Sequence, residues 1–439
     1  MATLEITPVS ALPQSERPPS GDSTHVIKFN QSEVPDGTEP FLVNFGPQHP
    51  SMHGVFRLEA LLDGEKVLGV RPFIHYMHRN FEKHVENKEY YQIPPYFDRL
   101  DYVAAMTQEL TYVMGVEQLL DWPVPPRADF LRVIMCELNR ISSHCLAWGT
   151  FGMDLGALTP IFYTFHQREK ILDLFELASG ARLLYNYFVV GGLTRDIPKG
   201  FVDRTKTFLD EFEKDFMPEL DKFLIQNAIY WARTTEIGVI TPELAERHAL
   251  TGPNQRCSGV RWDLRKHYPY NPELRPTPKP SKGGETPAPE PPPASGPPAG
   301  FYSVYNQFEF DIPVGDGAGG RGPVGSCWDR MMVRFKEMKE SCRIVRQALD
   351  KLPRGSVQHL PMPRALKPTG QAFVSTEAAR GELGMRLIAD GTERPYRVHV
   401  NSPGFNVIYA LPELCRDILV ADLIAVVGSC DFVMGEVGR

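Results

Sequence analysis

Apolar positions recur at intervals of three and four from Leu100 through Val103, Met106, Leu110, Val113, Val116 and Leu120, and Trp122-Pro123 closes the run. That period lays a single apolar stripe along a helix. Leu131, Ile134, Leu138, Ile141, Cys145 and Trp148 form a second stripe and predict a second helix. Thr159-Pro160 reads as a third helix start, a capping threonine with proline at the first helical position. Residues 201–225 carry Phe201, Phe208, Phe212, Phe216, Leu220 and Phe223 on one face, with Pro218 expected to kink the helix. The clearest period runs from Met331 through Phe335, Met338, Cys342, Val345 and Leu349 to Leu352, where Pro353 stops it. Strands are expected at 41–45, at Val55–Leu62 and Lys66–Arg71 around Asp63-Gly64, and at Met385–Ala389 and Tyr396–Val400 around Asp390-Gly391. The class is α+β, a central helical bundle with small β elements near the N- and C-terminal ends.

This pattern divides the chain into five parts. Residues 1–38 are polar and proline-bearing and read as a flexible arm; 39–75 form an N-terminal β region; 76–270 form the helical body. Residues 271–300 hold 11 prolines and 4 glycines and almost nothing apolar, which marks a solvated insertion. Residues 301–439 supply the last long helix and a β-rich part that packs on the body. The glycine-rich stretch 315–325 lacks the GK[ST] ending of a phosphate loop and reads as a flexible connector.

Composition narrows the function classes. With 47 basic and 54 acidic residues the net charge is −7, which argues against nucleic acid as the main partner. The seven cysteines include no CxxC pair, which suits a reducing compartment and argues against a disulfide framework or a metal or iron–sulfur site built from this chain alone. The N-terminus lacks the pattern of a secretory signal. The most apolar run, Ile418–Val427, is broken by Asp422, so no membrane span is expected.

Three clusters are candidates for chemistry. GPQHPSMHG (46–54) places His49 and His53 four apart, but Pro50 and Gly54 disfavour the helix that a metal pair would use. A loop histidine can donate a proton near neutral pH, although on the residues alone it more often satisfies loop carbonyls. In 78–102, charges mix with Tyr90, Tyr91, Tyr96 and Tyr102, which suggests a partly buried surface with phenolic donors. In TFGMDLGALTP (150–160), Asp154 is either a helix-end cap or a buried titrating group.

In this order, the strings NFGPQHPSMHGVFRLE, MHRNFEKHVENKEYY, PYFDRLDY, PPRADFLRVIMCELNRISSH, LGALTPIF, SGVRWDLRK, STEAARGELG and VMGEV resemble the family of the 49-kDa, or D-type, subunit of respiratory NADH:quinone oxidoreductase (complex I). The likeness extends over most of 40–270 and 302–439. It implies a fold like the large subunit of nickel–iron hydrogenases, without the two CxxC pairs that hold nickel there. It implies a peripheral-arm subunit of a proton-translocating enzyme, active only in the assembled complex, on the cytoplasmic side of the cell membrane. His53 and Tyr102 match the pair that holds the quinone headgroup, and Asp154 matches the acidic residue associated with that histidine. His49, Gly54 and Met153 would line the quinone pocket, and Arg79 would lie beside an iron–sulfur cluster supplied by a partner subunit. The substrate is a quinone, menaquinone or ubiquinone; the chain itself holds no metal. Implied partners are the iron–sulfur subunit of the B type, peripheral subunits of the C and I types and the membrane quinone-channel subunit of the H type.

The sequence departs from the family pattern in four substitutions, in a shorter stretch at 353–373 and in the insertion 271–300. Asn80 replaces the glycine after His-Arg, Leu184 an expected histidine, Val189, within Phe188-Val189-Val190, an arginine before the double glycine, and Gly438 an aspartate before the last arginine. Loss of a donor and a positive charge predicts a partner cluster of low potential with weakened pH dependence. Two other readings stay open: a structural or assembly subunit without quinone chemistry, and a subunit of a related hydrogenase-type membrane complex.

Overall fold

The computed structural model describes residues 6–8, 25–27, 40–48, 54–268, 302–359 and 361–439. The 271–300 insertion and most of the expected arm lie outside the described residues, but Ile6–Pro8 (β1) and His25–Ile27 (β2) form a short antiparallel pair. β3 (Phe41–Phe45), β4 (Arg57–Asp63) and β5 (Lys66–Phe73) form an antiparallel sheet in that order. Asp63 pairs with Lys66, so the turn is Gly64-Glu65, one residue beyond the expected Asp63-Gly64. Gly64 has φ +59°, a backbone state that glycine enters without steric cost.

Two short helices, α1 (Phe81–Val85) and α2 (Pro94–Phe97), lead to α3 (Ala105–Leu120). The apolar stripe begins at Leu100, yet the helix begins five residues later. Asp101 Oδ1 accepts the N–H groups of Val103 (3.2 Å) and Ala104 (3.3 Å), and Asn139 Oδ1 caps the N–H of Met106 (3.1 Å). This side-chain turn competes with helical hydrogen bonding and leaves Tyr102 in a loop. α4 (Pro126–Asp154) is the longest element, and most of its residues are buried. α5 (Thr159–Ser179) starts with Thr159 as its first helical residue, so Leu158, not the threonine, holds the cap position. It folds back closely on α4. Gly149 lies against Ile161 and Thr164, and Gly152 against Pro160, where any side chain would crowd the crossing.

The segment 201–225 comprises α6 (Phe201–Glu211), a π turn at Phe212–Phe216, α7 (Met217–Leu220) and a second π turn at Asp221–Ile225. Pro218 has no N–H for the preceding turn, and the helix widens on both sides of it, where the sequence suggested a kink. Four short helices follow: α8 (Ala228–Thr234), α9 (Pro242–Arg247), α10 (Pro253–Arg256) and α11 (Leu264–His267). The glycine-rich stretch is tied down, not a loose connector. It contains one turn, α12 (Gly317–Gly320), and the buried Asp329 carboxylate accepts the N–H groups of Asp316, Gly317 and Gly325 at 3.1, 3.1 and 2.8 Å. α13 (Cys327–Asp350) opens on Ser326, whose hydroxyl accepts the N–H of Asp329, and runs beside α4 through the core.

β8 (Thr369–Ala378), β9 (Gly381–Asp390) and β10 (Arg397–Asn401) form the second three-stranded sheet; a two-residue pair, β6 (Phe188–Val189) with β7 (Gly192–Leu193), lies between α5 and α6. β8 escapes the apolar pattern because its buried positions include Ser375, Thr376 and Glu377. The sheet is fastened to α3, where Thr111 and Thr376 hydroxyls meet at 2.6 Å and Gly115 makes room for Met385. Three helices that the apolar pattern did not predict complete the chain: α14 (Pro403–Leu414), α15 (Val420–Cys430) and α16 (Met434–Gly438). All seven cysteines are buried free thiols. No described helix is long and apolar enough to cross a membrane. The architecture is α+β.

Candidate functional site

His49 and His53 lie outside the described residues, but both ends of their loop are defined. Gly46 (φ +84°) ends β3 against the carbonyl of Phe56, where a side chain would collide, so the two strands close tightly on the loop. Gly54 (φ +109°) lies at the other end, and the point where its side chain would begin is 3.9 Å from the Tyr102 hydroxyl. The residue after His53 therefore stands beside the phenol.

Tyr102 is partly buried in the loop before α3. Burial raises its phenol above the ordinary value, as does the charge of Asp101; Arg380 and Arg79 oppose this. The proton is therefore held firmly until an acceptor becomes strongly basic. Arg79 is exposed and donates to the Arg99 carbonyl at 2.5 Å. Asp154 is the last residue of α4, partly buried, at the end where helix carbonyls accumulate negative charge. A carboxylate gains nothing there as a cap, so its placement needs another reason. Gly428 on α15 gives it room, because any side chain at that position would collide with the Asp154 carboxylate. Met153, just before it, is partly buried, and its carbonyl accepts the N–H of Gly156 at 2.8 Å. The structure thus brings Gly54, Tyr102 and Arg79 together. The Gly428–Gly435 segment touches both Asp154 and Tyr102, since Gly435 lies 3.1 Å from Tyr102 Cε1, measured from where its side chain would begin.

Several buried ions around this site were not singled out from the sequence. Arg380, in the turn between β8 and β9, donates to Asp101 Oδ2 at 2.6 Å and to Asp431 Oδ1 at 3.4 Å. Glu436 on α16 accepts the N–H of Gly404 at 3.2 Å. Deeper in the core, Glu337 accepts from Arg256 (2.5 Å) and meets His144 (2.8 Å), contacts that hold its carboxyl well below the usual range despite full burial. None of these residues falls on an apolar period. For Asp101, Arg380 and Glu436 the available signal was the charge inside RLDY, STEAARGELG and VMGEV, strings that carry the resemblance; Asp431, Arg256 and Glu337 lie in none of the quoted strings.

Sequence comparison identifies the family. The family model described as respiratory-chain NADH dehydrogenase, 49 Kd subunit, matches residues 154–272, 299–365 and 360–439. The chain belongs to this 49-kDa subunit family. It is 40% identical to the D-type NADH-quinone oxidoreductase subunit of Desulforamulus reducens over 401 residues, covering 91% of this chain and 98% of the relative. It is 42% identical to the protein of the same name from Dehalococcoides mccartyi strain 195 over 404 residues, covering 92% and 99%. The namesake from Chlorobaculum tepidum is 40% identical over 429 residues, covering 95% and 98%.

The departures from the 49-kDa pattern now have structural settings. Asn80 has φ +53°, a left-handed state that suits glycine and, next best, asparagine, so this exchange keeps the backbone. Leu184 also sits at φ +57°, where a branched side chain is poorly suited. Its surroundings enforce the bend: Asp98 accepts the N–H of Asn186 (3.0 Å), Glu109 that of Phe188 (2.6 Å) and Glu117 that of Gly191 (2.7 Å). The carbonyl of Val189 accepts from Arg132 at 3.0 Å. Gly438 permits close contact with the turn His75–Met77; a side chain there would begin 2.8 Å from the carbonyl carbon of Met77.

Proposed function

We propose that this chain serves as the 49-kDa-type subunit of an NADH-quinone oxidoreductase and, with an iron–sulfur partner subunit, forms the site where quinone is reduced to quinol. The observation that carries this reading is the approach of the Tyr102 phenol to Gly54, the residue that follows His53. A quinone has two carbonyl acceptors on opposite sides of its ring, so an imidazole and a phenol facing one another would fix its orientation. Reduction places negative charge on those oxygens, which strengthens both hydrogen bonds and draws protons across them. Asp154 would hold His53 in one tautomer and stabilise its cation. His49, Gly54 and Met153 would line the pocket. Electrons would arrive from a cluster in the B-type partner, beside Arg79. Subunits of the C, I and H types would complete a peripheral arm seated on the cytoplasmic side of the membrane.

Tyr102→Phe in the assembled enzyme tests the proposal. Loss of one positioned acid is expected to reduce quinone turnover by about 10²-fold, while electron transfer from NADH to an artificial acceptor upstream of the site persists. Unchanged quinone turnover would overturn it in favour of a structural role. The isolated chain is expected to bind quinone poorly, because part of the cavity wall belongs to its partners.

A further inference from the structure

Behind Tyr102, three carboxyl groups from separate segments converge on one guanidinium. Asp101 precedes α3, Asp431 follows α15, and Glu436 lies on α16; these three and Arg380 are all at least nine-tenths buried. Their partners are unequal. Asp101 has Arg380 at 2.6 Å and two backbone N–H groups, and Asp431 has Arg380 at 3.4 Å and Arg334 at 3.5 Å. Glu436 has the single N–H of Gly404 on Oε1, and its Oε2 is buried without a hydrogen-bond partner. Among the described residues, no cation lies within ion-pair distance of it. Arg439 faces it from the same helix but lies nearer Glu82, and Tyr102 faces it from the loop. An ionised carboxylate in this setting would keep a desolvated, unmatched charge, and a proton on that oxygen replaces this with the smaller cost of a neutral O–H.

We propose that Glu436 is a neutral carboxylic acid in the working enzyme and the internal proton store that recharges Tyr102 after the phenol has protonated the reduced quinone. This rests on Tyr102 being the quinone donor. Two electrons from NADH, delivered through the rest of the enzyme, and two protons convert quinone to quinol. One proton comes from the second donor of the proposed site, His53 as its imidazolium, and the other from Tyr102, whose O–H breaks as an O–H forms on the quinol oxygen, leaving a tyrosinate. The Glu436 O–H then breaks, the phenol re-forms, and the new carboxylate stands in the field of Arg380 until solvent returns the proton. Gly435, the neighbour of Glu436, packs beside the ring carbon next to the one that bears the hydroxyl, so the backbone that carries the store lies directly against the donor's ring. Burial, reinforced by the charge of Asp101 and opposed by Arg380, raises the Glu436 carboxyl to about 8. Glu436 acts through Tyr102 and is a positioning residue.

Glu436→Gln in the assembled enzyme substitutes one neutral group for another of the same shape. Quinone turnover is expected to fall about tenfold or more with KM unchanged. In the wild type kcat is expected to decline above about pH 8; in the variant that decline is expected to be absent, together with a carboxylic-acid carbonyl band in the infrared difference spectrum. Asp431→Asn removes a neighbouring negative charge and is expected to move the alkaline decline to lower pH. Wild-type turnover and pH profile in E436Q overturn the store. If E436Q does not assemble, an unshifted profile in D431N overturns it. Tyr102→Phe separates the two readings. Activity retained in Y102F defeats the quinone-site reading, whereas an inactive Y102F beside an unaltered E436Q defeats the store alone.

Discussion

At Leu184 a branched side chain occupies left-handed backbone that costs an L-residue about 1–2 kcal/mol. Histidine and asparagine tolerate this state better. Leu184→Asn is therefore expected to raise stability by about 1 kcal/mol in chemical denaturation of the full chain. Leu184→His restores a ring donor where the family pattern has one. If the proposed partner subunit places its cluster beside this segment, the change is expected to raise that cluster's midpoint potential and give it a normal pH slope in the assembled enzyme. Redox titration by electron paramagnetic resonance checks this, and an unmoved potential would exclude Leu184 from cluster tuning. At this scale the sequence was only partly legible. Tyr102 stood out because RLDY matches a known string. Its neighbour Asp101 did not, because a buried ion is recognised by partners far along the chain, such as Arg380, and leaves no local period.

Elements show how close contact constrains substitution. α16 meets the turn His75–Met77 through Gly438, and His78 Nδ1 lies 2.8 Å from each of the carbonyls of Gly438 and Arg439. Gly438→Asp would introduce the residue that the resemblance implies here yet force a Cβ to within 2.8 Å of Met77 backbone. The expected result is displacement of α16, loss of the His78 contacts and about 1–3 kcal/mol of destabilisation in denaturant unfolding. Long amphipathic helices were legible here because burial on one face forces a period; α4 extends beyond its stripe at both ends, while α13 starts before its stripe and ends at Asp350, short of Leu352. α14 and α15 were not: the outward face of α14 carries Phe405 and Tyr409 beside Asn406 and Glu413, which blurs its period, and α15 is buried continuously from Ala425 to Cys430. The glycine-rich stretch misled for another cause: its order comes from Asp329, a residue outside it.

The whole molecule has an unusually ionic interior. Glu137 alone accepts from Arg265 (3.1 Å), Ser341 (2.6 Å) and Tyr305 (2.7 Å). Paired carboxyls such as Glu137, Glu337 and Asp263 (about 2) are held below their ordinary values, so the stability they supply is lost only as pH falls through the acid range. Burial keeps His144 uncharged, and this costs stability below its ordinary value near 6.5. Glu436 has the opposite sign. With a folded value of about 8, it binds a proton in the folded chain that the unfolded chain lacks, so stability declines as pH rises towards 8. Denaturation midpoints of the full chain are therefore expected to fall between about pH 6.5 and 8, with Asp129, raised by burial to about 7, contributing to the same limb, and Glu436→Gln is expected to make that limb shallower. An unchanged slope in the variant would place the titration elsewhere.

The short span from Gly428 to Gly435 has a mechanical consequence. One end makes space for the Asp154 carboxylate and the other is pressed against the Tyr102 ring. Two side chains that reach the site from distant parts of the chain are thus packed against one short segment. A shift of that segment re-aims both together, so the acid and the residue that would orient the second donor keep their relative alignment when the pocket wall moves.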